Sequence, residues 1–173
     1  MFFFVSQVDA DDDSLDIAVI AVDTMRISHP EVAQAALIDT ELACGEWEGY
    51  AEEAQFFILG YPDERATIDP DTLEFRADRV TLFGGYDGPS FLPLLHLFRV
   101  SDSLGFTTFS GFSGGPVFAW IERPGQRPVT VLCGMVLRRT PKSGQIHFLD
   151  RDMLLDALAA KRRLELGQRV SQE

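Results

Sequence analysis

The chain reads as an all-β domain closed by a single helix, and three observations predict it. Short runs of β-branched and aromatic residues recur from residue 2 to residue 149. Gly and Pro clusters separate those runs, and the pattern turns helical only after Asp150. Many short strands at such spacing form a sandwich or a barrel rather than an α/β layer.

The first run, residues 2–8, is aromatic and β-branched and ends in Asp9-Ala10-Asp11-Asp12-Asp13. The second, 15–22, is apolar apart from Asp16 and has the length of a buried strand, so the pair predicts a hairpin. The acidic turn between them lacks a mid-loop Gly, and Ile20 stands where a calcium loop needs its closing Glu. It is therefore a solvated turn and no metal site. Residues 30–42 fit either a short helix with Glu31 in its first turn or a connecting loop. Further β-type runs follow at 56–59, 73–83, 94–100, 116–121, 129–137 and 145–149. They are punctuated by Gly60-Tyr61-Pro62, Gly84-Gly85, Gly88-Pro89, Gly111, Pro124-Gly125 and Pro141. Asp150 caps a helix predicted over 151–166, with Met153, Leu154, Ala157, Leu158 and Ala160 on its apolar side. Lys161, Arg162 and Arg163 fall where cations complement the helix dipole.

Composition bounds the function. With 173 residues, 46% of them hydrophobic and 24% charged, the chain is long enough for one domain with a real core. A formal net charge of −12 opposes nonspecific binding to nucleic acid or to an anionic membrane, both of which need a positive field. No apolar run approaches the ~18 residues of a membrane span. The apolar start at residues 1–5 is too short for an export leader and has no basic flank. If Met1 is the natural start, the expected location is the cytoplasm; a truncated start removes that expectation. Cys44 and Cys133 are too few for a disulfide framework and read as small buried thiols. There is no metal cluster, phosphate-binding loop or cofactor signature, so no cofactor is expected.

The most informative stretch is Gly111-Phe112-Ser113-Gly114-Gly115-Pro116-Val117-Phe118. A nucleophilic serine in acyl transfer needs backbone N–H donors aimed at the developing oxyanion. Glycines beside it permit unusual dihedrals and close approach of a substrate backbone. Pro116 then starts a strand, where a missing N–H costs little. The stretch also matches the G-x-S-x-G elbow of α/β-hydrolases, but an elbow serine must be followed by a helix. Gly114-Gly115-Pro116-Val117-Phe118 opposes helix and favours strand.

The hexapeptide resembles the G-D-S-G-G-P signature of the trypsin and chymotrypsin family of serine peptidases, and more closely the bacterial members in which that Asp is replaced. Asp16-Ile17-Ala18-Val19 resembles the D-[IL]-A-[VL] segment that carries the triad aspartate. Phe57-Ile58-Leu59-Gly60-Tyr61-Pro62 is similar to the strand and G-[YN]-P turn that open the second barrel. Leu132-Cys133-Gly134-Met135-Val136-Leu137 resembles the strand that lines the specificity pocket and pairs with substrate backbone. The strand from Gly144 to Phe148, followed by a terminal helix, matches how the family closes. The resemblance covers residues 15–158, most of the chain.

It implies a trypsin-like double β-barrel: remnant strands of the first barrel over 1–28, a connection over 29–55, a complete six-stranded antiparallel second barrel over 56–149, and a C-terminal helix over 150–166. It implies Ser113 as nucleophile, the N–H groups of Gly111 and Ser113 as oxyanion hole, and Asp16 as the residue that orients the base. Thr107, Val136, Leu137, Arg138 and Gly144 would line the substrate pocket. Neutral Thr107 on the pocket floor favours a small or apolar side chain, and Arg138 with Arg139 at the rim favours acidic ones.

The sequence departs from the family in two places that matter. The family order is His, Asp, Ser, yet no histidine precedes Asp16, and His29, His96 and His147 all follow it. Phe112 replaces the Asp that in the trypsin branch pairs with a freed N-terminus, so that route of activation is closed. The first barrel would also hold only a hairpin, where closure needs several more strands. The expected partners are therefore a peptide or protein substrate, together with a partner chain or preceding segment that completes this barrel. Two functions follow. One is a serine endopeptidase domain acting through an acyl-enzyme at Ser113, inactive alone for want of its base. The other is a catalytically dead protease-fold module that binds a peptide or protein. A third, a β-domain outside the family, would make the resemblance fortuitous.

Overall fold

The computed structural model describes residues 2–7, 16–21, 45–72, 74–106, 108–139 and 145–170. At 2–7, 16–21, 75, 138–139 and 161–170 it describes the backbone alone. The acidic run 9–13, the 30–42 segment, His29 and Cys44 lie outside the described residues.

The two expected N-terminal strands are present. β1 (Phe2–Gln7) pairs antiparallel with β2 (Asp16–Ala21), in a register that sets Phe2 opposite Ala21 and Gln7 opposite Asp16. They form a two-stranded sheet of their own.

The remaining strands build a closed antiparallel barrel. These are β3 (Gln55–Gly60), β6 (Val80–Pro89), β7 (Leu95–Val100), β8 (Pro116–Ile121), β9 (Val129–Arg139) and β10 (Ile146–Asp150), hydrogen-bonded in the order β10-β7-β6-β3-β8-β9 and back to β10. Between β3 and β6 a small hairpin of β4 (Ala66–Ile68) and β5 (Phe75–Ala77) stands apart from the barrel. α1 (Arg151–Val170) follows directly.

Several sequence boundaries shift: the helix runs to Val170 rather than 166 and β9 to Arg139 rather than 137, and two strand boundaries change more deeply. The run at 73–83 is not one strand. Its first part pairs with β4 across a turn in which the Asp69 carboxylate accepts from the N–H groups of Asp71 (2.9 Å) and Thr72 (3.2 Å). Conversely, Gly84-Gly85 does not end a strand: β6 continues through it to Pro89. Gly84 faces the ring of Phe98 and the carbonyl of Arg99 so closely that a Cβ would overlap both. It is a contact point in the barrel wall.

Alternation explains the core. In β3, Phe56, Ile58 and Gly60 point inward and are buried, while Gln55, Phe57 and Leu59 point outward. Leu82, Phe98, Val117, Ala119 and Phe148 join them in one buried cluster with Trp47, which precedes β3. A second, smaller cluster lies where α1 covers the barrel: Leu154 packs on Leu95, Met135, Leu137 and Leu149.

The junction of β10 and α1 is polar and tightly partnered. Asp150 caps the helix, as its position predicts: its Oδ1 accepts from the Asp152 N–H at 2.7 Å. Its Oδ2 lies 3.3 Å from Nε2 of His96. A carboxylate only accepts, so Nε2 carries the proton, and Nδ1 of a neutral ring then accepts from the Tyr86 hydroxyl at 3.0 Å. Burial, aided by the charges of Glu48 and Asp150, holds the Tyr86 phenol above its usual range, consistent with donation. Arg151 bonds the Gly45 carbonyl and so ties the segment before β3 to the start of the helix.

For Asp150 burial acts to raise the pKa, but the hydrogen bonds from His96 and the Asp152 N–H, together with the charge of Arg151, outweigh it, leaving the carboxyl below its usual range. A carboxyl depressed on folding contributes stability that is fully present above its unfolded value, about 3.9, and lost as pH falls through the lower native value. Asp150→Asn should therefore lower stability near neutrality and flatten the decline in acid. Urea midpoints of both proteins from neutral pH down to about pH 3 measure this, and parallel declines would refute it.

Candidate active site

The serine loop is a pair of consecutive turns. The Phe112 N–H donates to the Phe109 carbonyl (3.2 Å), and the Gly115 N–H donates to the Phe112 carbonyl (2.9 Å). The third residue of each turn is a glycine at positive φ, Gly111 at +88° and Gly114 at +80°. That sign is what a type II turn requires of its third residue, and glycine adopts it without steric cost. The two turns set Phe112 and Ser113 in opposite environments: Phe112 is fully buried and Ser113 is exposed.

Each part of the loop is anchored. The Phe112 ring packs edge-on to Phe106 and tilted to Phe109, and it lies so close to Gly60 that a Cβ there would overlap it. On the β9 side, the Gly114 N–H donates to the Val136 carbonyl and the Val136 N–H to the Gly115 carbonyl, both at 2.8 Å. On the other side, the turn after β3 donates from the Tyr61 N–H to the Gly111 carbonyl (3.0 Å) and from the Asp63 N–H to the Ser110 carbonyl (3.2 Å). Side chains add to this grip. Ser110 Oγ donates to the Asp63 carboxylate, and the Thr108 N–H (2.9 Å) and hydroxyl (3.2 Å) donate to Glu64.

Among the described residues, the N–H groups of Gly111 and Ser113 have no acceptor. The Ser113 hydroxyl donates to the Leu137 carbonyl at 2.9 Å. Beside it, β9 outruns its partner. The last β8–β9 pair is Pro116 with Met135, whereas β9 continues to Arg139, held on its far side by β10 through His147–Arg138 and Ile146–Arg139. On the β8 side, residues 138–139 have no strand partner among the described residues. Among the described residues, a length of strand unpaired on one side thus borders the serine.

The structure brings Ser113, Gly111, Val136 and Leu137 together, with Arg138 next along β9. Asp16 opens β2 in the separate N-terminal sheet, where the backbone alone is described. Thr107 and Gly144 lie outside the described residues. Neither described histidine bonds Ser113: His96 serves Tyr86 and Asp150, and buried His147 bonds Ser90 Oγ through Nδ1 at 3.2 Å. Burial pushes the Cys133 thiol well above its ordinary range, which leaves it protonated and unreactive. Among the described residues no three His, Cys, Asp or Glu side chains converge on one metal position, and no helix is long and apolar enough to cross a membrane. Comparison of the chain with family models, curated proteins and solved structures finds no match.

Sequence reasoning missed Asp63, Glu64, Thr108 and Ser110. Their only trace is an acidic pair after Gly60-Tyr61-Pro62 and a hydroxyl-rich run before Gly111, some forty residues apart with nothing local to join them.

The geometry separates two costs of adding a side chain. Gly111→Ala meets the Tyr61 carbonyl and Pro62 in addition to the unfavourable φ, whereas Gly125, at φ +73°, has open space around it. Gly125→Ala should cost about 1 kcal/mol for the dihedral alone, and Gly111→Ala clearly more, of order 1–3 kcal/mol above it. Urea unfolding of the two variants measures the difference, and equal losses would show that the Tyr61 turn does not back the loop.

Proposed function

We propose that the chain supplies the nucleophile loop and second barrel of a trypsin-like serine endopeptidase. The observation that carries this reading is an exposed serine set by two glycine turns, with the N–H groups of Gly111 and Ser113 lacking an acceptor among the described residues. Attack by the Ser113 hydroxyl on a peptide carbonyl creates an oxyanion, and two preorganised donors stabilise such a charge. The open edge at residues 138–139 supports the same reading, since an extended peptide can add to it as a strand and present its carbonyl to Ser113. The closed six-stranded barrel followed by one helix is the arrangement the resemblance implies for residues 56–166.

A hydroxyl is a weak nucleophile without a base to take its proton. His96 and His147 are engaged elsewhere, and the Ser113 proton points to Leu137. These observations favour a second reading for the chain by itself, a module that holds a peptide at the cleft without turning it over.

Removing the base of a triad costs on the order of 10⁶ in turnover and leaves roughly 10³–10⁴ over water. Fluorophosphonate probes should therefore leave Ser113 unlabelled in this chain. A peptide with histidine next to the scissile bond brings its own imidazole. Such peptides should be cleaved slowly by the wild type and not by Ser113→Ala, as followed by mass spectrometry. If they bind but none is cleaved in a Ser113-dependent way, the binding module is the correct reading. Stoichiometric probe labelling would instead show a base already in place, and its loss in His147→Ala would name it.

A further inference from the structure

The geometry points to Asp63 and Glu64 as positioning residues that lock the serine loop in its donor-presenting shape without any activation step, an inference that rests on the peptidase reading of Ser113. The Gly111 N–H belongs to the same planar peptide unit as the Ser110 carbonyl. Fixing one end of that plane fixes the direction of the other. The Asp63 N–H holds the Ser110 carbonyl at 3.2 Å, and the Asp63 carboxylate holds the Ser110 hydroxyl, so Asp63 grips both the backbone and the side chain of one residue. The Gly111 N–H is thereby turned away from the 61–65 turn, to the side on which it has no acceptor among the described residues.

The grip is needed because glycine at position 111 offers little resistance to rotation of this peptide plane. A flipped plane would bury the donor and expose a carbonyl, which repels an oxyanion. Neighbouring residues extend the clamp in step. Glu64 takes both donors of Thr108, and the Arg65 guanidinium lies over the Phe106 ring at 5.3 Å from its centroid. Residues 63, 64 and 65 thus hold 110, 108 and 106 in turn. The clamp starts from the Tyr61–Gly111 bond, and Phe112 anchors the far end of the loop in the core. All of these contacts lie within the 61–65 and 106–112 segments, so the arrangement needs no new chain terminus and no ligand to form.

The backbone donor can be removed separately from the carboxylate. Pro62 is extended (ψ 136°), and Asp63 opens a 3-10 turn, so proline fits at position 63 without steric conflict. Asp63→Pro deletes the N–H together with the side chain, Asp63→Ala deletes only the carboxylate, and Asp63→Asn keeps an acceptor. The readouts are amide hydrogen exchange by NMR, and kcat and KM on a histidine-bearing peptide. Asp63→Pro should speed exchange of the Phe112 amide about tenfold. Asp63→Ala combined with Glu64→Ala should do so to a similar degree, and Asp63→Asn should stay near wild type. The Ile58 amide in β3 should be unchanged throughout, which shows the barrel intact. Turnover should fall in kcat with KM held, since the misdirected donor serves the oxyanion rather than the bound peptide.

If Asp63→Pro does not fold, the double alanine variant carries the same expectation. Unchanged Phe112 exchange in the folded variants overturns the inference, as does a rise in KM with kcat unchanged. Faster exchange in a protein whose wild type shows no Ser113-dependent cleavage keeps the clamp and removes the peptidase reading, so the two fail separately.

Discussion

Closure of the barrel by β10, which bonds β7 on one side and β9 on the other, is the constraint from which the rest follows. A closed sheet has no free edges, so every inward residue from Phe56 to Phe148 is packed from all sides. Closure also fixes how far each strand can run beside its neighbours. β9 is longer than β8, and among the described residues the excess has no strand partner on the side where the serine loop turns back to start β8. The candidate cleft is a consequence of unequal strand lengths in a closed wall.

The loop itself is held by a division of labour between its two central residues. Phe112 is buried and Ser113 is exposed although they are neighbours, because successive type II turns point them to opposite sides. An apolar ring at 112 joins the loop to the core through the gap left by Gly60, and burial of such a ring contributes about 1.5–3 kcal/mol. That anchoring is independent of pH and of any terminus. The polar clamp from the 61–65 turn then sets the direction of the peptide planes, which packing of a ring alone does not.

The Tyr86–His96–Asp150 chain commits three polar side chains of the barrel to structure. It links β6, β7 and β10 to the first turn of α1, with Trp47 and Phe148 against the imidazole. Histidine, aspartate and a hydroxyl therefore do meet in this fold, but around a tyrosine. The acid and base are spent on closing the barrel and capping the helix. This is the physical reason that counting histidines in the sequence does not locate a catalytic base.

Much was legible from residue order. Short apolar and aromatic runs at 56–59, 116–121 and 145–149, set off by Gly and Pro, predict strands, and the apolar spacing after Asp150 predicts a capped helix, because these signals are local in sequence. The glycines at 111 and 114 predict unusual turns, because only the missing Cβ makes positive φ cheap. Tertiary structure alone decided the rest. The pairing of 61–65 with 106–111 joins segments far apart in sequence, and hydrogen bonds at that range leave no periodic trace. The continuation of β6 through Gly84-Gly85 required knowing that Phe98 and Arg99 approach there. The direction of the Ser113 hydroxyl depended on where the Leu137 carbonyl came to rest once β9 was enclosed on both sides.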